Sequence, residues 1–204
     1  MTPMHRCRAS RNSPIPDQER SRRAFLGTFA SGGGLVNPYG MVFGPDANLY
    51  VAGSASSNVV RYNGVTGMFI DQFVPPGSGG LVSADGLVFG PDGNLYVTNS
   101  SPPGGGQPST VLRYNGTTGA FIDTFVSIDS GGLNGGRGLV FGRDGNLYVS
   151  SFYSSQVLRY SGTNGAFIDA FVSAGSGGLN GSRFLIFAPV GSCARPDISA
   201  CQGQ

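Results

Sequence analysis

Gly86-Leu87-Val88-Phe89-Gly90-Pro91-Asp92-Gly93-Asn94-Leu95-Tyr96-Val97, followed by Val111-Leu112-Arg113-Tyr114-Asn115-Gly116 and Ala120-Phe121-Ile122-Asp123-Thr124-Phe125-Val126, decides the fold. This frame is written three times, starting at Gly40, Gly86 and Gly138, at spacings of 46 and 52 residues. A period of about 40–50 residues with several short strands per unit is the sign of a propeller blade. A fourth copy starts and stops at Phe184–Phe187. Ahead of the first copy, Ala24-Phe25-Leu26-Gly27-Thr28-Phe29-Ala30-Ser31 aligns with Ala120–Ser127.

Each repeat parses into four strands. In the middle copy these are Gly86–Phe89, Leu95–Thr98, Val111–Tyr114 and Ala120–Val126. Pro91-Asp92-Gly93-Asn94 makes a tight turn, because Asp-Gly and Gly-Asn tolerate positive φ, and Asn115-Gly116 opens another. The β-branched and aromatic content fits a sheet buried on both faces. No segment shows helical spacing for more than a turn, so no helix is expected. The predicted fold is all-β: a propeller of four-stranded antiparallel blades, three full blades plus partial blades at both ends. Ala24–Ala30 supplies only a fourth strand and Phe184–Phe187 only a first. The expected divisions are a disordered basic lead over 1–23, the propeller segment over 24–190, and a tail over 191–204.

Composition narrows the function. Gly is 35 of 204 residues, which suits many turns. Only 12% of residues are charged, about half the usual share. All 13 basic residues are Arg, and His5 and Glu19 are the only His and Glu. Residues 24–204 hold seven Arg and nine Asp, a net −2, so nucleic acid is not expected as a partner. No apolar run reaches the roughly 18 residues of a membrane helix. Cys193 and Cys201 flank a short polar segment and either pair in an oxidising compartment or remain free thiols; Cys7 has no evident partner.

Asn37-Pro38-Tyr39-Gly40-Met41-Val42-Phe43-Gly44-Pro45-Asp46-Ala47-Asn48-Leu49-Tyr50-Val51-Ala52, with Val59-Val60-Arg61-Tyr62 and Gly67-Met68-Phe69-Ile70-Asp71-Gln72-Phe73, resembles an NHL repeat. The resemblance covers about residues 24–188. It implies a propeller of about six or seven blades, used for protein, RNA or carbohydrate binding and, in relatives, for lactone hydrolysis or lyase chemistry. The Asp that succeeds the second strand in such repeats is replaced here by Gly53, Asn99 and Ser151. Gluconolactonase and regucalcin relatives hold a divalent cation with Glu, Asn and Asp; the repeat body has no Glu. Streptogramin lyase relatives use a His base, and no His, Lys or Cys lies between residues 24 and 192. No enzyme activity, cofactor or metal is therefore expected.

Other features read as blade parts. The Asp-Gly-Asn turns lack calcium-loop spacing. Arg61, Arg113 and Arg159 recur on the third strand and Asp71, Asp123 and Asp169 on the fourth, as cross-strand ion pairs. Ser21-Arg22-Arg23-Ala24-Phe25-Leu26 looks like a twin-arginine export signal, but the residues after Leu26 are only weakly apolar, and the repeat alignment accounts for its second half. Sequons stand at Asn99, Asn115 and Asn180.

Binding surfaces are expected in the loop after the second strand (Ser54–Asn58, Asn99–Ser109, Phe152–Gln156) and on the end blades. Phe152 and Tyr153 form the one aromatic pair in those loops. Arg137 and Arg183 recur in the interblade connector, where Tyr39 and Asp85 occupy nearby places; they either cap strand ends or line a channel mouth. The expected role is a non-catalytic binding or scaffold propeller, secreted or at the cell surface. Its partner is a protein or carbohydrate ligand or a second copy joined through the incomplete ring. The alternative is a fragment of a larger propeller enzyme of lactonase or lyase type.

Overall fold

The computed structural model describes residues 25–100 and 109–187. Twelve strands form three separate four-stranded antiparallel sheets. The first sheet holds β1 (Pro38–Phe43), β2 (Leu49–Gly53), β3 (Asn58–Tyr62) and β4 (Phe69–Val74), in chain order. The second holds β5 (Ala84–Phe89), β6 (Leu95–Asn99), β7 (Thr110–Tyr114) and β8 (Phe121–Val126). The third holds β9 (Gly136–Phe141), β10 (Leu147–Ser151), β11 (Gln156–Tyr160) and β12 (Phe167–Val172). The sheets are the three expected blades.

The first strands pack on one another, β1 on β5 and β5 on β9, and so line the axis. Their spacing is set by glycine. A Cβ on Gly86 would collide with the carbonyl oxygen of Arg137, so any side chain there would push neighbouring inner strands apart. The second strands are buried on both faces, and the fourth strands form the rim with Ile70, Ile122 and Ile168 exposed.

Blades are joined by aromatic stacking that the repeat carries in each copy. Tyr50 meets the edges of Phe73 and Phe89 at 4.9 and 5.0 Å. Tyr96 repeats this with Phe125 and Phe141, and Tyr148 with Phe171 and Phe187. Each aromatic pair adds about 0.5–1.5 kcal/mol beyond its burial. Leu81, Leu95, Val97, Leu112 and Tyr114 complete the core between the first and second blades.

The end segments depart from expectation. Neither Phe25–Ala30 nor Phe184–Phe187 forms a strand. A strand needs a ladder partner, and among the described residues no strand pairs with either segment. Both segments still occupy blade positions. Tyr62 Oη donates to the carbonyl oxygen of Gly32, as Tyr114 does to Ser78 and Tyr160 to Ser130. Phe187 takes the place against Tyr148 that Phe89 takes against Tyr50. The expectation of no helix is also corrected: Ser78–Gly80, Ser130–Gly132 and Ser176–Gly178 each form one 3-10 turn in a connector. Gly79, Gly131 and Gly177 carry positive φ there, which apolar periodicity does not reveal. The lead, the tail, the three cysteines and Arg22-Arg23 lie outside the described residues.

Candidate binding site at the blade axis

Each blade first carries a purely structural network. The Asp92 carboxylate accepts from the backbone and side chain of Asn94 and from Tyr96 Oη at 2.9 Å. Arg113 lies against the same carboxylate and pairs bidentately with Asp123 on the neighbouring strand. The same set recurs as Asp46, Tyr50, Arg61 and Asp71, and as Asp144, Tyr148, Arg159 and Asp169. Burial alone would raise the Asp92 carboxyl, but the hydrogen bonds from Asn94 and Tyr96 and the charge of Arg113 together hold it below its ordinary value. Burial pushes the Tyr96 phenol up to about 12. The expected Arg–Asp pairs are present; the turn Asp and the Tyr, which complete the network, were not read from sequence. Their signal was available, since both recur in register with the Arg.

The opposite end of the axis is different. Here the connectors enter the first strands and the loops after the second strands meet them. Backbone bonds tie the two: Ser100 N to Ser83 O, Phe152 N to Gly135 O, and Tyr153 N to Asn134 O. Asn99 and Ser151, which replace the missing carboxylate, secure these connectors. Asn99 Oδ1 accepts from Val82 N and Ser83 N, and Ser151 Oγ from Asn134 N. Asn99 is thus committed to the fold.

Tyr39, Asp85, Arg137 and Arg183 hold one equivalent position in successive repeats, and the structure brings all four together. Arg137 Nη1 donates to Asp85 Oδ2 at 2.9 Å, with Asp85 fully buried. Burial pushes the Asp85 carboxyl above its ordinary value; the charge of Arg137 and the nearby Ser100 and Ser83 hydroxyls draw it back only in part. The Arg137 guanidinium lies 5.3 Å from the Tyr39 ring and 5.6 Å from the Phe152 ring. Arg183 lies 4.7 Å from the same Phe152 ring and donates from Nη1 to Tyr39 Oη at 3.2 Å. Tyr39 stacks on Phe184 at 5.6 Å, so the first and last inner segments meet across the axis.

All four sequence candidates are therefore in one place, though not as free loop residues. Phe152 is wedged between connectors: a Cβ on Gly181 would lie 2.9 Å from its ring. Tyr153 stands at the rim, 44% exposed, with its ring edge against Phe152. Arg137 and Arg183 meet on the Phe152 ring at the connector end of the inner strands. Sequence reasoning missed Asp85 and Tyr39 as partners of these residues, although their register with Arg137 and Arg183 was visible. Asn134 was also missed: a single Asn in a Gly-rich connector gives no signal.

This cluster has charge and aromatic surface. It offers two guanidiniums, one buried carboxylate, and the rings of Tyr39, Phe152, Tyr153 and Phe184. Among the described residues no group of three or more His, Cys, Asp or Glu side chains is placed to hold a metal ion. Among the described residues no helix is long and apolar enough to cross a membrane.

No protein-family model matches the chain, and no curated protein matches it in sequence. Solved structures do match. A gluconolactonase from Xanthomonas campestris has a TM-score of 0.57 at 19% identity, over 81% of this chain and 55% of that one. The hydrazine synthase of Kuenenia stuttgartiensis has a TM-score of 0.52 at 16% identity, over 79% of this chain and 41% of that one. The protein U3-55K has a TM-score of 0.52 at 15% identity, over 70% of this chain and 41% of that one. The chain thus spans between two fifths and just over half the length of these matches. The likeness is one of β-propeller fold.

Proposed function

We propose that the chain works as a non-catalytic binding propeller of NHL type that takes its ligand at the axial mouth, in an extracellular or surface setting. One observation carries this reading: Arg137, Arg183, Phe152, Tyr153 and Tyr39 converge at the axis, whereas the other repeated Arg–Asp sets are spent on blade structure. Conjunctions of Arg with exposed aromatic rings are enriched where surfaces bind. The gluconolactonase likeness, at 19% identity, brings no lactone chemistry with it. A carbohydrate or protein ligand suits the mouth. The test is a glycan-array and peptide-library screen of the purified chain beside a Phe152→Ala, Tyr153→Ala double variant. The reading expects a captured ligand whose capture the variant loses; undiminished capture by the variant would remove the mouth as the site.

A second reading, association of copies through the end blades, has its own support. Phe73 and Phe125 are 4% and 5% exposed between blades, while their counterpart Phe171 is 51% exposed. Leu87 and Leu139 are each 7% exposed, and their counterpart Met41 is 67% exposed. An apolar groove of about 280 Å³, lined by Phe29, Leu35, Met41, Leu49 and Tyr62, adjoins Met41. Covering such side chains contributes about 1.5–3 kcal/mol each. Light scattering of the purified chain should return a multiple of 21.0 kDa, and a monodisperse monomer would refute this reading.

A further inference from the structure

We infer that the axial mouth takes a sugar acid, a hydroxylated ring bearing a carboxylate, which Arg183 holds through that carboxylate. This rests on the reading of the mouth as a ligand site.

Charge makes the first argument. The repeat body carries a net −2, yet the mouth gathers two Arg against one Asp. Elsewhere Arg61, Arg113 and Arg159 each meet two carboxylates of their own blade. Arg183 instead is positioned by a phenol and an aromatic face, Tyr39 Oη at 3.2 Å and the Phe152 ring at 4.7 Å. These contacts fix a guanidinium without neutralising it. A planar fork of N–H donors so held matches a carboxylate bidentately. Because the mouth is net cationic, a bound metal cation is disfavoured and an anion favoured.

The surrounding groups select the rest of the ligand. Tyr153 stands 44% exposed at the rim beside Phe152, offering a flat apolar surface to one face of a ring. Three polar atoms of the same connectors and inner strands, all fully buried, make no hydrogen bond within the described residues: Asp85 Oδ1, Asn134 Oδ1 and Arg137 Nε. Asp85 and Arg137 are bonded to each other, and Asn134 is bonded through its carbonyl to Tyr153. Unpaired buried polar atoms are costly, and two of these three are acceptors in need of a donor. Hydroxyl groups, directly or through a water they fix, both donate and accept. A polyhydroxylated ring presents donors and acceptors to the connector that carries these atoms, where an aromatic acid presents only its carboxylate to Arg183.

The test is titration of the full chain with D-glucuronate, D-glucose and benzoate, followed by NMR of the Arg Nε–H groups. The expected result is saturable displacement of the Arg183 and Arg137 signals by glucuronate, with glucose and benzoate each at least tenfold weaker. Arg183→Gln should weaken glucuronate at least tenfold and lower the melting temperature only modestly, because it loses the contacts to Tyr39 and Phe152 but no ion pair among the described residues. Glucose binding as well as glucuronate, with Arg183→Gln unaffected, would overturn the inference and leave the mouth as a neutral-ligand site. Benzoate binding as well as glucuronate would overturn the sugar part. Displacement of neither arginine by any of the three would overturn the inference and count against the mouth itself.

Discussion

Replacing Arg137 by Met should be among the most damaging single changes of a charged residue in this chain. Asp85 is fully buried, and its Oδ2 receives one charge-assisted hydrogen bond, from Arg137 at 2.9 Å. Removing one member of a buried pair strands the other and costs about 3–5 kcal/mol. Arg137 retains 15% side-chain exposure, which places the loss near the lower figure. That is a large part of a total stability of about 5–15 kcal/mol. The cost depends on pH with a definite sign. The folded Asp85 carboxyl already lies above its ordinary value of 3.8, so its contribution is present below 3.8 and is lost as pH rises through the folded value. Without Arg137 the folded value rises further, and the penalty deepens between pH 5 and 7 by at most about 2.7 kcal/mol, at 1.36 per unit. Urea unfolding at both pH values would measure this. Asp85→Asn combined with Arg137→Met leaves no stranded charge and should cost less than Arg137→Met alone. A loss under about 1 kcal/mol that does not change with pH, or a double variant whose loss is the sum of the single ones, would refute the argument.

Three further outcomes are expected from the blade geometry. Ala47 sits at φ 61 where Gly93 and Gly145 stand in the other blades, so Ala47→Gly should stabilise by about 1 kcal/mol and Gly93→Ala should destabilise by a similar amount, both read from urea midpoints. Gly86→Ala should be worse than Gly93→Ala by several degrees of melting temperature, because its Cβ would collide with the Arg137 carbonyl oxygen whereas Gly93 faces open space. Asp46, Asp92 and Asp144 titrate below 3.8 when folded, so their contribution is present above 3.8 and is lost as pH falls through the folded values; Asp92→Asn should flatten the acid limb of the stability curve, and an unchanged limb would contradict this.

The blades were legible because their information is local. Alternation over five or six residues, an Asp-Gly-Asn turn and a fixed period define each sheet, and the observed strands differ from the expected ones by a residue or two. The Arg–Asp pairs were legible for the same reason, as residues in register on adjacent strands. The ends were less so. Phe184-Leu185-Ile186-Phe187 has the pattern of a first strand, but a strand is a property of a pair, and no described strand pairs with this segment. The mouth was half legible. Arg137 and Arg183 stood out by register, and Phe152 and Tyr153 by their rarity in polar loops. Their convergence, and the role of Asp85 beneath them, depends on how four repeats turn about one axis, which no local pattern encodes.

The mouth exists only if the first and last inner segments meet across the axis. The most direct measurement is the nuclear Overhauser effect between the rings of Tyr39 and Phe184, whose centroids stand 5.6 Å apart although 145 positions separate them in sequence. Cross-peaks between the two rings, strongest for the ring protons nearest each other, are the predicted result. Their absence in a chain that still shows the Tyr50–Phe73 and Tyr96–Phe125 contacts would leave the blades standing and contradict the proposed site at the axis.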